Sequence, residues 1–229
     1  MGEDHLNEGT YKPDKLKQVS INKKNGGSRK LLIPSIKDRI VQTSTLLLLS
    51  SSFDKKFYED SWGYRPGRGH QDAILTIEQF IQQEQYWIVD ADIEKYFDEV
   101  PHLRLMEDLS IWIDDNKILQ LILLWLNSFS SNNKGLAQGS PISPLLSNIY
   151  LHPLDRILIS FGFKIIRYAD DFIILNHTKE DAVRALTLCR FVLNSRGLKI
   201  NENKTRLIEP NNSFEFLGHH FNNEALNAK

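Results

Sequence analysis

The sequence predicts an α+β fold, an antiparallel sheet packed on helices, and three features predict it. Two apolar, β-rich runs flank Ala169-Asp170-Asp171 in FKIIRYADDFIILNH. A third such run, YWIVDADIEKYFDEV, carries acids at its C-terminal end. Between these stand long amphipathic segments whose apolar residues recur at helical spacing. The 229 residues fit one large domain or two small ones, and 41% hydrophobic with 25% charged residues is an ordinary globular balance. Such a length buries a core without disulfides or a structural metal. The single cysteine, Cys189, lies among Leu186, Leu188, Phe191 and Val192 and reads as a small buried filler. A cysteine nucleophile or thiolate metal site is therefore disfavoured.

In chain order, residues 1–14 read as a flexible lead-in. KLKQVSINKKNGGSRKLLIPSI alternates as two strands around a turn at Asn25-Gly26-Gly27, a hairpin with basic flanks. Asp38 opens a helix, DRIVQTSTLLLLSSSFDKKF, with apolar positions at Ile40, Val41, Leu47 and Leu48. The loop SWGYRPGRGH follows, then helical spacing in QDAILTIEQFIQQ and the acidic strand. LRLMEDLSIWIDDNKILQLILLWLNSF reads as two packed helices, and PISPLLSNIYLHPLDRILISFG as another begun at a proline. After the Asp-Asp strands, KEDAVRALTLCRFVLNSRG is a helix capped by Gly197. KTRLIE and FEFLGHHF read as a last strand pair, with the helices on one side of the sheet.

The net charge of −1 is not the global basicity of a protein held on nucleic acid by charge alone. The average hides a segregation, however. Lys12, Lys15, Lys17, Lys23, Lys24, Arg29, Lys30, Lys37 and Arg39 crowd the first part of the chain. Asp90, Asp92, Glu94, Asp98 and Glu99 gather later. The polar N-terminus shows no signal peptide, Leu46–Leu49 is too short a run to span a bilayer, and a cytoplasmic location is the expectation.

Adjacent carboxylates between apolar strands repel each other and resist burial, unless divalent cations bind there. A solvated Asp-Asp turn is the plain alternative for that pair alone. Asp92, at the end of another strand, tips the balance. One carboxylate from one strand and two from a neighbouring hairpin suit two metal ions about 3.5–4 Å apart. Oxygen-rich sites of this kind favour Mg²⁺. Asp90 reads better as an ordinary exposed acid beside the strand.

Seven motifs in order resemble the reverse transcriptases of the bacterial group II intron type. They are RKLLIPSIKDRIVQ, SWGYRPGRGHQDAI, DADIEKYFDEVPH, LAQGSPISPLLSNIYL, RYADDFIIL, GLKINENKTRLI and FEFLGHHF. The resemblance implies a right-hand polymerase palm with fingers, the thumb absent or truncated. It places mainly fingers at 15–89, with 62–72 as a template-facing loop, and mainly palm at 90–229, ending after the primer grip. It makes Asp92, Asp170 and Asp171 the ligands of two Mg²⁺ ions, with Mn²⁺ able to substitute. Lys204 is matched to a proton donor for pyrophosphate, and Lys24 (or Lys23) and Arg29 to grips on the triphosphate. Phe97 matches the gate against a ribose 2′-hydroxyl. Gln138 matches a residue beside the sugar, with Ser140 able to N-cap the next helix. Arg65 and Arg68 are matched to template contacts, and Leu217 with Gly218 to primer support. His219 and His220 point to opposite faces of a strand and make a poor metal pair.

The implied activity is RNA-directed DNA synthesis from dNTPs on an RNA template with a DNA or RNA primer. A homodimer or a partner chain could supply the thumb function. Two alternatives stand beside it: a CRISPR- or defence-associated relative with weakly templated synthesis, and a non-catalytic RNA-binding module. The intact Asp92, Asp170, Asp171 and Gln138 argue against the second of these.

Overall fold

The structure, a computed structural model, describes residues 9–22, 28–84 and 86–223. The elements run β1 (Lys17–Asn22), β2 (Ser28–Ile33), α1 (Ile36–Asp54), α2 (His70–Gln83), β3 (Trp87–Ala91) and α3 (Tyr96–Glu99). Then come α4 (His102–Trp112), α5 (Asn116–Phe129), α6 (Ser143–Ser160), β4 (Lys164–Tyr168) and β5 (Asp171–Asn176). The chain closes with α7 (Lys179–Ser195), β6 (Arg206–Ile208), β7 (Phe214–Phe216) and β8 (His219–Phe221). Two compact units result, one of residues 1–52 with 95–150, the other of 53–94 with 151–229. Each is built from two separate stretches, so neither coincides with a single division near residue 90. No helix among the described residues is long and apolar enough to cross a membrane.

In the first unit β1 and β2 pair antiparallel from Lys17↔Ile33 to Asn22↔Ser28, the hairpin that the alternation predicts. Its turn, with Lys23 and Lys24, lies outside the described residues. Helix α1 starts two residues before the expected Asp38, because Ser35 caps it. The Ser35 hydroxyl donates to Asp38 Oδ2 (2.8 Å) and accepts the Asp38 N–H (3.2 Å). Of the expected apolar positions of α1, only Val41 is even half-buried. Ile36, Ile40, Leu47 and Leu48 are exposed, whereas Asp38, Gln42 and Thr45 are buried with Leu49.

Asp38, Gln42 and Thr45 each have a partner. The Tyr11 hydroxyl donates to Asp38 (2.6 Å), Ser140 Oγ to Gln42 (2.8 Å), and Thr45 Oγ1 to the Val41 carbonyl (3.0 Å). Tyr11 also accepts from Trp125 Nε1 (3.0 Å), and Asp14 N–H donates to Asp38 (2.9 Å). Residues 11–14 are thus tied down, in place of the loose lead-in expected there. Asp38→Ala is expected to cost about 3 kcal/mol, since it strands a buried phenol and a backbone amide. Urea unfolding of parent and variant at pH 7 reads this directly. Helices α4 and α5 pack together as expected, with Leu105 and Leu109 buried on one and Ile122, Trp125, Leu126 and Phe129 on the other. Asp115 caps α5 through the Lys117 N–H (2.7 Å).

The second unit holds a four-stranded sheet in the order β4-β5-β3-β6, antiparallel throughout. Ile88, Ile166, Ile173 and Leu175 meet Ile74, Ile77 and Ile81 of α2 in one apolar cluster. Phe172 and Ile174, which alternate with these along β5, are fully buried as well. Helix α7 packs on β3 and β5, so the sheet is covered on both faces rather than one. Thr178 caps α7, and Gly197 at φ +76° ends it with Leu198 N–H donating to the Leu193 carbonyl (2.9 Å). The last strands differ from expectation. Arg206–Ile208 joins β3, while β7 and β8 pair with each other. Their turn, Leu217 and Gly218 at φ +54° and +73°, has the two left-handed residues of a type I′ hairpin.

Candidate active site

The second unit gathers the acidic residues. β3 pairs with β5 through Ala91↔Phe172, so continuing the register sets Asp92 level with Asp171. Ala169 and Asp170 form the two-residue turn between β4 and β5, and Asp171 belongs to β5 itself, paired with Tyr168. The three carboxylates therefore come from one end of two adjacent strands. Desolvation first, then repulsion from Asp170, Asp92 and Asp90, pushes the Asp171 carboxyl up to about 6, with Lys204 opposing.

Asp90 is not an ordinary exposed acid. It sits half-buried in the centre of the sheet, 3.8 Å from Arg206 Nε. Burial pushes it up to about 6, Arg206 lowers it and Asp92 raises it.

Asp92 is held by Asn201, a residue not singled out in the sequence, from the loop that carries Lys204. Asn201 Nδ2 donates to Asp92 Oδ2 (3.0 Å), and the Asn201 N–H to the Asp92 carbonyl (2.8 Å). Lys204 Nζ stands 3.2 Å from Asp92 Oδ1. Asn201 folds the loop on itself, its carbonyl accepting from the Lys204 and Thr205 N–H groups (3.1 and 2.9 Å). The sequence signal was an asparagine opening NENKTR, where a short amide can bond locally.

The carboxylate oxygens of Asp92, Asp170 and Asp171, gathered at one end of the sheet, fit hard divalent cations. Among the described residues no three His, Cys, Asp or Glu side chains form a ready-made cage. Mg²⁺ does not require one, because it keeps waters and takes substrate phosphates alongside one or two carboxylates.

Arg65 departs from its expected role. It is buried, and its guanidinium donates to Asp54 Oδ1 (2.6 Å) and to the carbonyls of Asp54 (2.8 Å), Tyr58 (2.5 Å) and Ser61 (2.7 Å). A fork so fully engaged by its own chain has little left for a template phosphate. Arg68 is half-buried, donates to the Glu59 carbonyl and lies 5.1 Å from the Trp62 ring centre. Leu217 and Gly218 form their hairpin turn, with the Leu217 carbonyl 2.6 Å from His70 Nε2. His219 faces Glu78 (3.1 Å) while His220 is exposed, as alternation requires.

The first unit carries the other expected residues. Tyr96 is buried with its hydroxyl on the Ser147 carbonyl (2.8 Å), and Phe97 beside it is half-buried. Arg29 is exposed on β2. Gln138 accepts the Leu32 N–H at its carbonyl (2.8 Å), and Gly139, at φ +122°, leaves 3.1 Å between an added Cβ and the Leu32 carbonyl. Ser140 does not sit at the start of α6, which begins at Ser143; its hydroxyl donates to Gln42 (2.8 Å). Lys24 lies outside the described residues.

The chain matches the family described as "Reverse transcriptase (RNA-dependent DNA polymerase)" over residues 21–221. Protein YkfC of Escherichia coli is 31% identical, over 94% of this chain and 69% of its own length. Group II intron-encoded protein LtrA of Lactococcus lactis subsp. cremoris is 34% identical over 69% of this chain, a stretch that is 28% of that relative. Telomerase from Candida albicans shares the fold, with a TM-score of 0.71 over 92% of this chain and 44% of its own. Identity there is 14%, so that likeness speaks to architecture alone.

Proposed function

Because the chain belongs to the reverse transcriptase (RNA-dependent DNA polymerase) family, we propose that it extends a primer 3′-hydroxyl with dNTPs on an RNA template. Asp92, Asp170 and Asp171 would hold two Mg²⁺ ions, for which Mn²⁺ can substitute. The register that sets Asp92 level with Asp171, beside the Ala169–Asp170 turn, supports this reading most. Bound there, the ions would supply Lewis-acid activation of the hydroxyl and neutralise charge on the leaving pyrophosphate.

The chain's own residues do the rest. Asn201 orients Asp92, and Lys204, exposed and 3.2 Å from Asp92 Oδ1, is an ammonium able to give a proton to pyrophosphate. Arg29 and Lys24 grip the triphosphate, Arg as a bidentate fork and Lys as a point charge. Phe97 excludes the 2′-hydroxyl, and Gln138 sits beside the sugar. Leu217 and Gly218 support the primer end. Arg68 serves the template phosphates, whereas Arg65 stiffens the loop that carries it. In this reading residues 15–89 work mainly as fingers and 90–229 mainly as palm.

Primer extension on poly(rA)–oligo(dT) with dTTP and Mg²⁺ tests the proposal, and a parent chain that leaves the primer unextended overturns it. The same assay with UTP probes the gate. Phe97→Ala is expected to lower the preference for dTTP over UTP by about tenfold or more. An unchanged ratio removes Phe97 from that role.

A further inference from the structure

We propose that Arg167, held by Asp155 and Ser61, is the positioning residue that fixes the Ala169–Asp170 turn and so aims the carboxylates of the polymerase site. The inference rests on the reverse transcriptase reading of that site. Arg167 lies on β4, one of the most fully buried large side chains of the protein. Its Nε reaches both Asp155 oxygens (2.8 and 3.1 Å), and Nη2 reaches Asp155 Oδ2 (2.6 Å) and Ser61 Oγ (2.7 Å). Its Nη1 donates to the Ala169 carbonyl (2.8 Å). Asp155 is equally buried, with side-chain exposures of 1% and 2% for the pair. Backbone bonds from both sides immobilise the same residue. Arg167 N–H donates to the Asp60 carbonyl (2.9 Å), and Trp62 N–H donates to the Arg167 carbonyl (2.8 Å).

Stability alone is a poor reason for such an arrangement. Replacing a buried ion pair by well-packed apolar groups is often neutral or stabilising. What an apolar replacement cannot do is donate to the Ala169 carbonyl. That carbonyl belongs to the peptide joining Ala169 to Asp170, and Ala169 sits at φ +58°. The left-handed region costs a non-glycine residue about 1–2 kcal/mol, so it persists only where the surroundings dictate it. The guanidinium does so, bridging Asp155 on α6, Ser61 in the preceding loop and the turn itself. Rotation of that peptide would swing Asp170 away from its neighbours without unfolding the sheet. Arg167 touches no reacting atom, so its effect is on geometry.

The test uses the full chain with the paired replacement Asp155→Leu/Arg167→Met, and Arg167→Lys as the second variant. A lysine keeps the charge beside Asp155 but cannot serve Asp155, Ser61 and the Ala169 carbonyl together. Three readouts are taken: melting temperature, kcat and KM for dTTP, and Mn²⁺ binding by electron paramagnetic resonance without nucleic acid. In the paired variant kcat is expected to fall about a hundredfold, with KM and melting temperature little changed. In Arg167→Lys the fall is about tenfold, and Mn²⁺ binding weakens in both. Parent-like kcat and Mn²⁺ affinity in a folded variant overturn the proposal. If the paired variant unfolds, Arg167→Lys decides alone. If the parent itself does not extend primers, the reverse transcriptase reading fails, and Mn²⁺ affinity alone then judges the positioning role.

Discussion

Asp170→Asn/Asp171→Asn is expected to abolish primer extension, by about a thousandfold or more, while yielding a chain that is more stable than its parent without metal. The two effects have one cause. Desolvation, and then repulsion from Asp170, Asp92 and Asp90, holds Asp171 up to about 6 in the folded state, above its ordinary value of 3.8. A carboxyl whose folded pKa is raised binds more protons folded than unfolded between those two values. Stability contributed by this group therefore falls as pH rises from about 4 through about 6, and stays low above. At pH 7.5 the parent carries the full penalty, which asparagine removes. Melting curves with EDTA at pH 5 and pH 7.5 should show the variant's advantage growing with pH. With Mg²⁺ added, the parent should gain stability and the variant should not, because ligand binding to the folded state alone raises its melting point. A variant less stable than the parent at pH 7.5 would mean that the carboxylates do not repel as described. One that still extends primers would remove them from catalysis.

Much of this site was legible because its chemistry is written as local pattern. Asp92 ends one apolar run and Asp170-Asp171 separate two others, and the chemistry of a two-metal site was the reason to expect them on neighbouring strands. The misreadings share a different cause, which is pairing over distance. Ile40, Val41, Leu47 and Leu48 are the expected apolar positions of α1, yet Ile40, Leu47 and Leu48 face solvent and only Val41 is half-buried. The buried face is Asp38, Gln42 and Thr45, tolerable only because two of its partners, Tyr11 and Ser140, come from far along the chain. Arg65 and Arg68 look alike in GYRPGRG, but only one finds Asp54 and three carbonyls waiting. Arg167 precedes the most conspicuous motif in the chain and still escaped notice. Its partners Asp155 and Ser61 are named by no spacing rule, and a buried arginine is visible only once the fold encloses it. Asp90 was undervalued for the same reason, since the desolvation that raises it comes from the sheet around it.

The loop before α2 makes the strongest prediction about a residue that carries no functional group. Gly63→Ala is expected to lower kcat for primer extension by about a hundredfold, although Gly63 lies in none of the carboxylate strands. A Cβ added there would run into the backbone nitrogen of Ala169 and crowd the Tyr168 carbonyl carbon and Ala169 Cα at 3.0 and 3.1 Å. The obstacle is backbone on both sides, so no rotamer change relieves it. Either the loop at 61–63 withdraws or the turn does. Withdrawal of the loop is resisted by the Trp62 N–H on the Arg167 carbonyl, by Arg167 N–H on the Asp60 carbonyl, and by Ser61 Oγ on the guanidinium. The turn already occupies an unfavourable φ at Ala169. It is therefore the part that moves, taking Asp170 with it. A displacement of about 1 Å in a reacting constellation can cost a hundredfold in rate. Gly67 offers the internal control, because an added Cβ there meets nothing within 4 Å. Its φ of +69° makes alanine strained at that position as well, yet the strain falls on the exposed loop and not on the turn. Gly67→Ala should lose some stability and keep its kcat, whereas Gly63→Ala should lose kcat beyond any loss of folded protein. Equal kcat in the two variants, each corrected for its folded fraction, would mean that the contact between loop and turn does not set the carboxylates.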